Sequence, residues 1–135
     1  MSEKILTIKL LKEKYAVCRL NKTELVPLWA KQGNFFSVTR TSDELSIVCP
    51  QDNIPNDRGL KCEKDWRVLK IKGVLDFSLI GILASISTIL AQKDISIFAI
   101  STYNTDYILV KHKDIDNAVE SLINEGYEVA NYSNV

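Results

Sequence analysis

The chain has 135 residues, 46% of them hydrophobic and 25% charged, with 17 basic residues set against 17 acidic ones. That apolar content excludes disorder and suits one compact domain, or two very small ones fused over a common core. A neutral chain offers no overall field for nucleic acid or an acidic membrane surface, and no run approaches the roughly 20 apolar residues that span a bilayer. Neither nucleic acid nor a membrane is therefore expected as a partner. Met1-Ser2-Glu3-Lys4 leads into an alternating pattern, not a signal-peptide core, so the default setting is a reducing cytoplasm. Cys18, Cys49 and Cys62 lack any CxxC spacing and read as small apolar residues in or near a core, not as a disulfide framework. With His112 as the sole histidine, no metal site and no cofactor are expected.

Residues 5–11 and 15–20 are rich in strand formers and flank the charged stretch Lys12-Glu13-Lys14, which reads as the turn of a hairpin. Asn21 or Thr23 is placed to cap a short helix through Leu25, Leu28 and Trp29, with Pro27 in its first turn and Gly33 at its end. A second hairpin is predicted from residues 35–40 and 44–49 around Thr41-Ser42-Asp43. Residues 51–64 hold Pro55, Gly59 and many polar side chains and read as a linker, closed by Trp66 as a packing anchor.

Residues 66–72 alternate as a strand. Leu79, Ile82, Leu83, Ile86, Ile89 and Leu90 then recur at helical spacing and define one apolar stripe. Residues 95–100 are apolar on both faces, which predicts a central strand that also pairs with a second subunit. Residues 106–111 return antiparallel. A last helix is predicted from Asp114 as N-cap, burying Ile115, Ala118, Val119, Leu122 and Ile123 and stopping at Gly126, before a short strand over residues 127–130. The order β-α-β-β-α-β is the ferredoxin-like arrangement, an α+β fold with two helices on one face of an antiparallel sheet.

Residues 36–48 align without gaps on residues 98–110, an offset of 62 that matches Phe36 to Phe98 and Val48 to Val110. The chain thus reads as a duplication, with an abbreviated N-terminal half (1–62) and a complete C-terminal domain (63–135).

Gly73-Val74-Leu75-Asp76-Phe77-Ser78-Leu79-Ile80-Gly81-Ile82-Leu83-Ala84 and the stretch from Ile97 to Val110 resemble the tandem ACT-like proteins, small and mostly bacterial. These are related to the ACT modules of the cytosolic arginine sensors of animal cells. Tyr15 to Leu20, Pro27 to Ala30 and Ser37 to Cys49 match the N-terminal half of that family. The resemblance implies two ACT-like ferredoxin folds packed together, commonly as a homodimer, with amino acids the usual ligands and no attached catalytic domain.

It also implies a ligand near the first strand-to-helix loop of the C-terminal domain. The matching positions are Leu75, Asp76, Phe77, Ser78, Leu79, Ile80 and Gly81, with Ser101, Thr102 and Asp106 as partners across the sheet. Backbone N–H groups of residues 78–80 can hold a carboxylate, because the first N–H groups of a helix have no partner within it. Asp76 or Asp106 can accept an ammonium group, and Gly81 allows close backbone approach. Each assignment has a plainer rival. Asp76 or Ser78 can simply cap the helix, and Ser101, Thr102 and Asp106 can simply satisfy a hairpin tip. His112, beside Lys111 and Lys113, reads as a solvated strand end. No nucleophile–base pair stands out, so a binding module is expected and an enzyme is not. Assembly without any ligand is the alternative.

Overall fold

The longest strand lies where the sequence predicts a hairpin. In a computed structural model, which describes residues 7–56, 59–72 and 81–131, strand β1 runs unbroken over Thr7–Leu20. Lys12-Glu13-Lys14 carries charge but no Gly, Pro, Asn or Asp, so no residue there demands turn geometry and the strand continues. On one face of β1, Ile8, Leu10, Ala16, Cys18 and Leu20 are buried while Lys12 and Lys14 are exposed, and on the other Leu11 and Tyr15 are buried. The charged residues therefore mark the point where a single strand passes from one core to another.

The remaining elements are β2 (Ser37–Arg40), β3 (Leu45–Pro50), β4 (Lys61–Ile71), α1 (Ile82–Ala91), β5 (Ile97–Ser101), β6 (Asp106–Lys111), α2 (Ile115–Asn124) and β7 (Glu128–Asn131). They form two compact units, one from Glu13–Trp66 and the other from Met1–Lys12 with Arg67–Val135. Both β1 and β4 contribute to each. Thr7 to Lys12 of β1 thus cluster with the C-terminal elements.

In the Glu13–Trp66 unit the strand order is β2-β3-β1-β4. β1 and β3 are antiparallel from Tyr15↔Pro50 to Leu20↔Leu45, and Ala16, Cys18 and Leu20 pack with Leu45, Ile47 and Cys49. Three expectations fail here. The helix expected through Leu25 is a 3₁₀ turn at Leu28–Lys31, because Pro27 holds the chain extended and Asn21 caps only its own turn, accepting the Thr23 N–H at 3.0 Å. The linker is shorter than expected, since β4 begins at Lys61, and strand pairing claims these exposed polar residues. Finally, Cys18 and Cys62 form a disulfide, with Cα atoms 4.1 Å apart on neighbouring strands. A cross-strand pair 44 residues apart leaves no spacing signature, which is why sequence alone missed it.

In the other unit the order is β1-β4-β6-β5, and β7 pairs parallel with β1 from Thr7↔Glu128 to Leu10↔Asn131. The fold is mixed α/β on a largely antiparallel sheet, but the last strand reaches β1 and not β4, as a simple β-α-β-β-α-β order requires. Ile86 and Leu90 of α1 and Ile115, Ala118 and Leu122 of α2 pack on Ile8, Leu10, Leu69, Ile71, Ile108 and Val110. Both helices end alike: Ile95 N–H donates to Leu90 O across left-handed Asp94, and Tyr127 N–H to Leu122 O across left-handed Gly126.

Three further expectations are corrected. β5 is the edge strand of the unit, and the strand buried on both faces is β6, whose Ile108, Leu109 and Val110 are all fully buried. Apolar run length does not separate a central strand from an edge. Ile123 is 50% exposed, because the buried face of α2 is made by Ile115, Ala118, Ser121 and Leu122. Asp114 stands at the N-cap of α2 without capping it, its carboxylate instead meeting the Lys113 amino group at 3.2 Å. Among the described residues no helix is long and apolar enough to cross a membrane.

Candidate functional site

β4 delivers the chain to the candidate site, and its end is held by two bonds. Lys72 N–H donates to Thr7 O at 2.9 Å, and the Thr105 hydroxyl donates to Ile71 O at 2.7 Å. Thr105 is 3% exposed, so this side chain ties the β5–β6 tip to the last residue of β4 in a dry environment. Sequence reasoning named Ser101, Thr102 and Asp106 in this hairpin and passed over Thr105. A hydroxyl in a polar tip carries no mark of burial, and only the fold sets this one against a strand end.

The predicted partners sit around that anchor. Ser101 Oγ donates to Asp106 Oδ1 at 2.5 Å across the final pair of the hairpin. The Thr102 hydroxyl donates to Thr105 O at 3.0 Å and accepts the Thr105 N–H at 3.3 Å. Thr102 therefore builds the tip, while the exposed Ser101 and partly exposed Asp106 present a hydroxyl–carboxylate pair at its base. Lys70 extends its amino group over the Tyr107 ring, 5.8 Å from the centroid.

Leu75, Asp76, Phe77, Ser78, Leu79 and Ile80 lie outside the described residues. Gly81 is the N-cap of α1, at φ 86° and ψ 8°, and its carbonyl accepts the Ser85 N–H at 2.8 Å. Among the described residues, a Cβ placed there would meet nothing within 4 Å. The left-handed conformation makes the turn into the helix and itself favours glycine at this position. Having no side chain, it also cannot cap the helix start. Within α1, Ser87 and Thr88 donate to the carbonyls of Leu83 and Ala84 at 2.7 and 2.8 Å, and Ser85 Oγ meets the Tyr127 hydroxyl at 3.0 Å. The Ser/Thr side of this helix is bonded back to its own backbone and to the turn after α2. Among the described residues no three His, Cys, Asp or Glu side chains converge as a metal site.

The two hairpins share one geometry. Thr41 N–H donates to Glu44 O at 2.9 Å, as Thr102 N–H does to Thr105 O at 2.8 Å. Pairs Arg40↔Leu45 and Ser101↔Asp106 close four-residue tips, so Thr41 corresponds to Thr102 at an offset of 61. The gapless alignment at 62 is therefore one residue out, and a one-residue slip turns every strand side chain to the other face.

An ACT-domain family model matches residues 61–124, and a separate N-terminal-domain model matches residues 13–57. The chain belongs to the ACT-domain family and is related to the ACT domains of arginine sensors. Subunit 1 of the human cytosolic arginine sensor for mTORC1 is 27% identical over 100 residues, covering 67% of this chain but 30% of that protein. The chain thus spans under a third of that relative. The crystal structure of protein Atu0741 from Agrobacterium tumefaciens is 35% identical, with a TM-score of 0.88 over 96% of this chain and 95% of that one. Aspartate kinase of Clostridium acetobutylicum, an allosteric enzyme, shares the fold at 15% identity and a TM-score of 0.61, over 88% of this chain and 34% of that one.

Proposed function

We propose that this chain is a regulatory module that binds a small molecule, an amino acid, at the junction of β4 and α1, and does no chemistry itself. The observation that carries the reading is the Thr105–Ile71 bond, which sets the Ser101–Asp106 pair beside the chain end that leads into that junction. Membership of the ACT-domain family and kinship with an arginine sensor favour an amino acid. In this reading N–H groups of residues 78–80 receive the carboxylate, with the helix dipole adding about 0.3–1 kcal/mol. Asp76 receives the ammonium group, with Asp106 as the next candidate. Leu75, Phe77 and Gly81 shape the loop, and Ser101 and Thr102 line its far side. The module works as a homodimer, from two ACT-like halves of which the first is abbreviated.

The test is thermal melting against the common amino acids. A ligand present at 100 times its dissociation constant stabilises by about 2.7 kcal/mol. Asp76→Asn keeps a capping side chain but removes the charge, so it should weaken calorimetric binding and leave the free protein's melting temperature unchanged. A panel without any shift removes the reading.

A second reading, assembly without ligand, is favoured by one observation. Edge strand β5, Ile-Phe-Ala-Ile-Ser, carries no charge or proline to block pairing with another chain. Light scattering that shows a dimer, together with a flat amino-acid panel, selects it.

A further inference from the structure

The Glu13–Trp66 unit has a cleft of its own, about 320 Å³, lined by Arg19, Leu20 and Asn21 at the end of β1, Glu24 in the turn beyond, and Leu60 and Lys61 at the start of β4. A volume near 300 Å³ is the low end for small-molecule sites. Both walls are held by bonds that spare the groups facing the cleft. The turn closes through Glu24 N–H to Asn21 O at 3.0 Å, and the Thr23 hydroxyl donates to Asn21 Oδ1 at 3.0 Å. The Arg40 guanidinium, from β2, donates to the main-chain carbonyls of Lys22 and Glu24, the latter at 2.6 Å. The Cys18–Cys62 disulfide joins the two walls one residue behind Arg19 and Lys61.

The charged groups are placed but not consumed. Arg19 Nη2 donates to Asp43 O at 3.1 Å and Nε lies 4.0 Å from Glu44, which orients the guanidinium and leaves further donors. Among the described residues the Glu24 carboxylate and the Lys61 ammonium have no hydrogen-bond or ion-pair partner. The cleft therefore presents two cations and one carboxylate, with Leu20 and Leu60 behind them in the core of the unit. Its complement carries two carboxylates, one ammonium and a short methylene chain.

We infer that this cleft is a second ligand site, selective for an acidic α-amino acid, in which Arg19 and Lys61 receive the carboxylates and Glu24 the ammonium. It is separate from the junction of β4 and α1 and does not rest on that reading.

The experiment is an amide NMR titration of the oxidised full chain with L-glutamate, and with glutarate, the same diacid without the ammonium group. L-Glutamate should shift the amides of residues 19–24 and 59–61. Lys61→Met should weaken it about three- to fivefold, the worth of one exposed ion pair. Glu24→Gln should weaken L-glutamate but not glutarate, and it leaves the Arg40 bond intact because that bond is to the main chain. Shifts confined to residues 71–72, 81–85 and 101–106 overturn this inference and support the other site. Equal losses for L-glutamate and glutarate in Glu24→Gln overturn it as well.

Discussion

Replacing Thr105 by valine tests whether the buried hydroxyl anchors the hairpin to β4. Valine keeps the β-branched shape and removes only the donor to Ile71 O, 2.7 Å away in a site 3% exposed. A neutral hydrogen bond contributes about 0.5–1.5 kcal/mol net, and a carbonyl left dry adds to the loss, so about 1–2 kcal/mol is expected. For 135 residues the unfolding entropy near the midpoint is about 0.3 kcal/mol/K, which converts that loss to about 3–7 °C. Thr105→Ser keeps the donor and loses a methyl group, at about 0.8 kcal/mol. Thr102→Val removes a hydroxyl that bonds only within its exposed tip and should cost less than about 0.5 kcal/mol. Urea titrations of the three variants decide the matter. If Thr105→Val matches the parent, or Thr102→Val costs more, the anchor has been misplaced.

Three other outcomes follow from the structure. Burial pushes the Cys49 thiol from 9.0 up to about 11, so the folded state holds its proton longer than the unfolded one. Stability from this group is full below pH 9 and falls as pH rises to about 11, by about 2–3 kcal/mol, a fall that Cys49→Ala should abolish in pH-dependent melts. Reducing Cys18–Cys62 opens a 44-residue loop and should cost about 4 kcal/mol by chain entropy, seen as a drop in denaturation midpoint with a dithiol that Cys62→Ala no longer shows. Gly81→Ala places a Cβ at φ 86° and should destabilise by about 1–2 kcal/mol in chemical denaturation, although none of the described residues obstructs it; Gly81→Asn should cost less.

Features that depend on neighbours along the chain are written in the order of residues alone. The helical stripe through Ile86 and Leu90, the hairpin at Thr41 to Glu44, the β5–β6 return and the stop at Gly126 all follow from local periodicity and turn chemistry. The family motifs were legible for the same reason, being contiguous. Of the candidate site, the sequence supplied the hydroxyls and carboxylates of the β5–β6 tip but not their pairing. That β1 runs straight through Lys12 to Lys14 emerges from the assembled fold, since a charged stretch turns or continues according to the strands beside it. The fold also decided that β7 pairs with β1, that Cys18 meets Cys62, and that the two hairpin tips correspond at an offset of 61 and not 62. Thr105 shows the difference most plainly. Its chemistry is that of any hydroxyl in a polar tip, and its burial against Ile71, 34 positions earlier in the chain, comes from packing that no local pattern encodes.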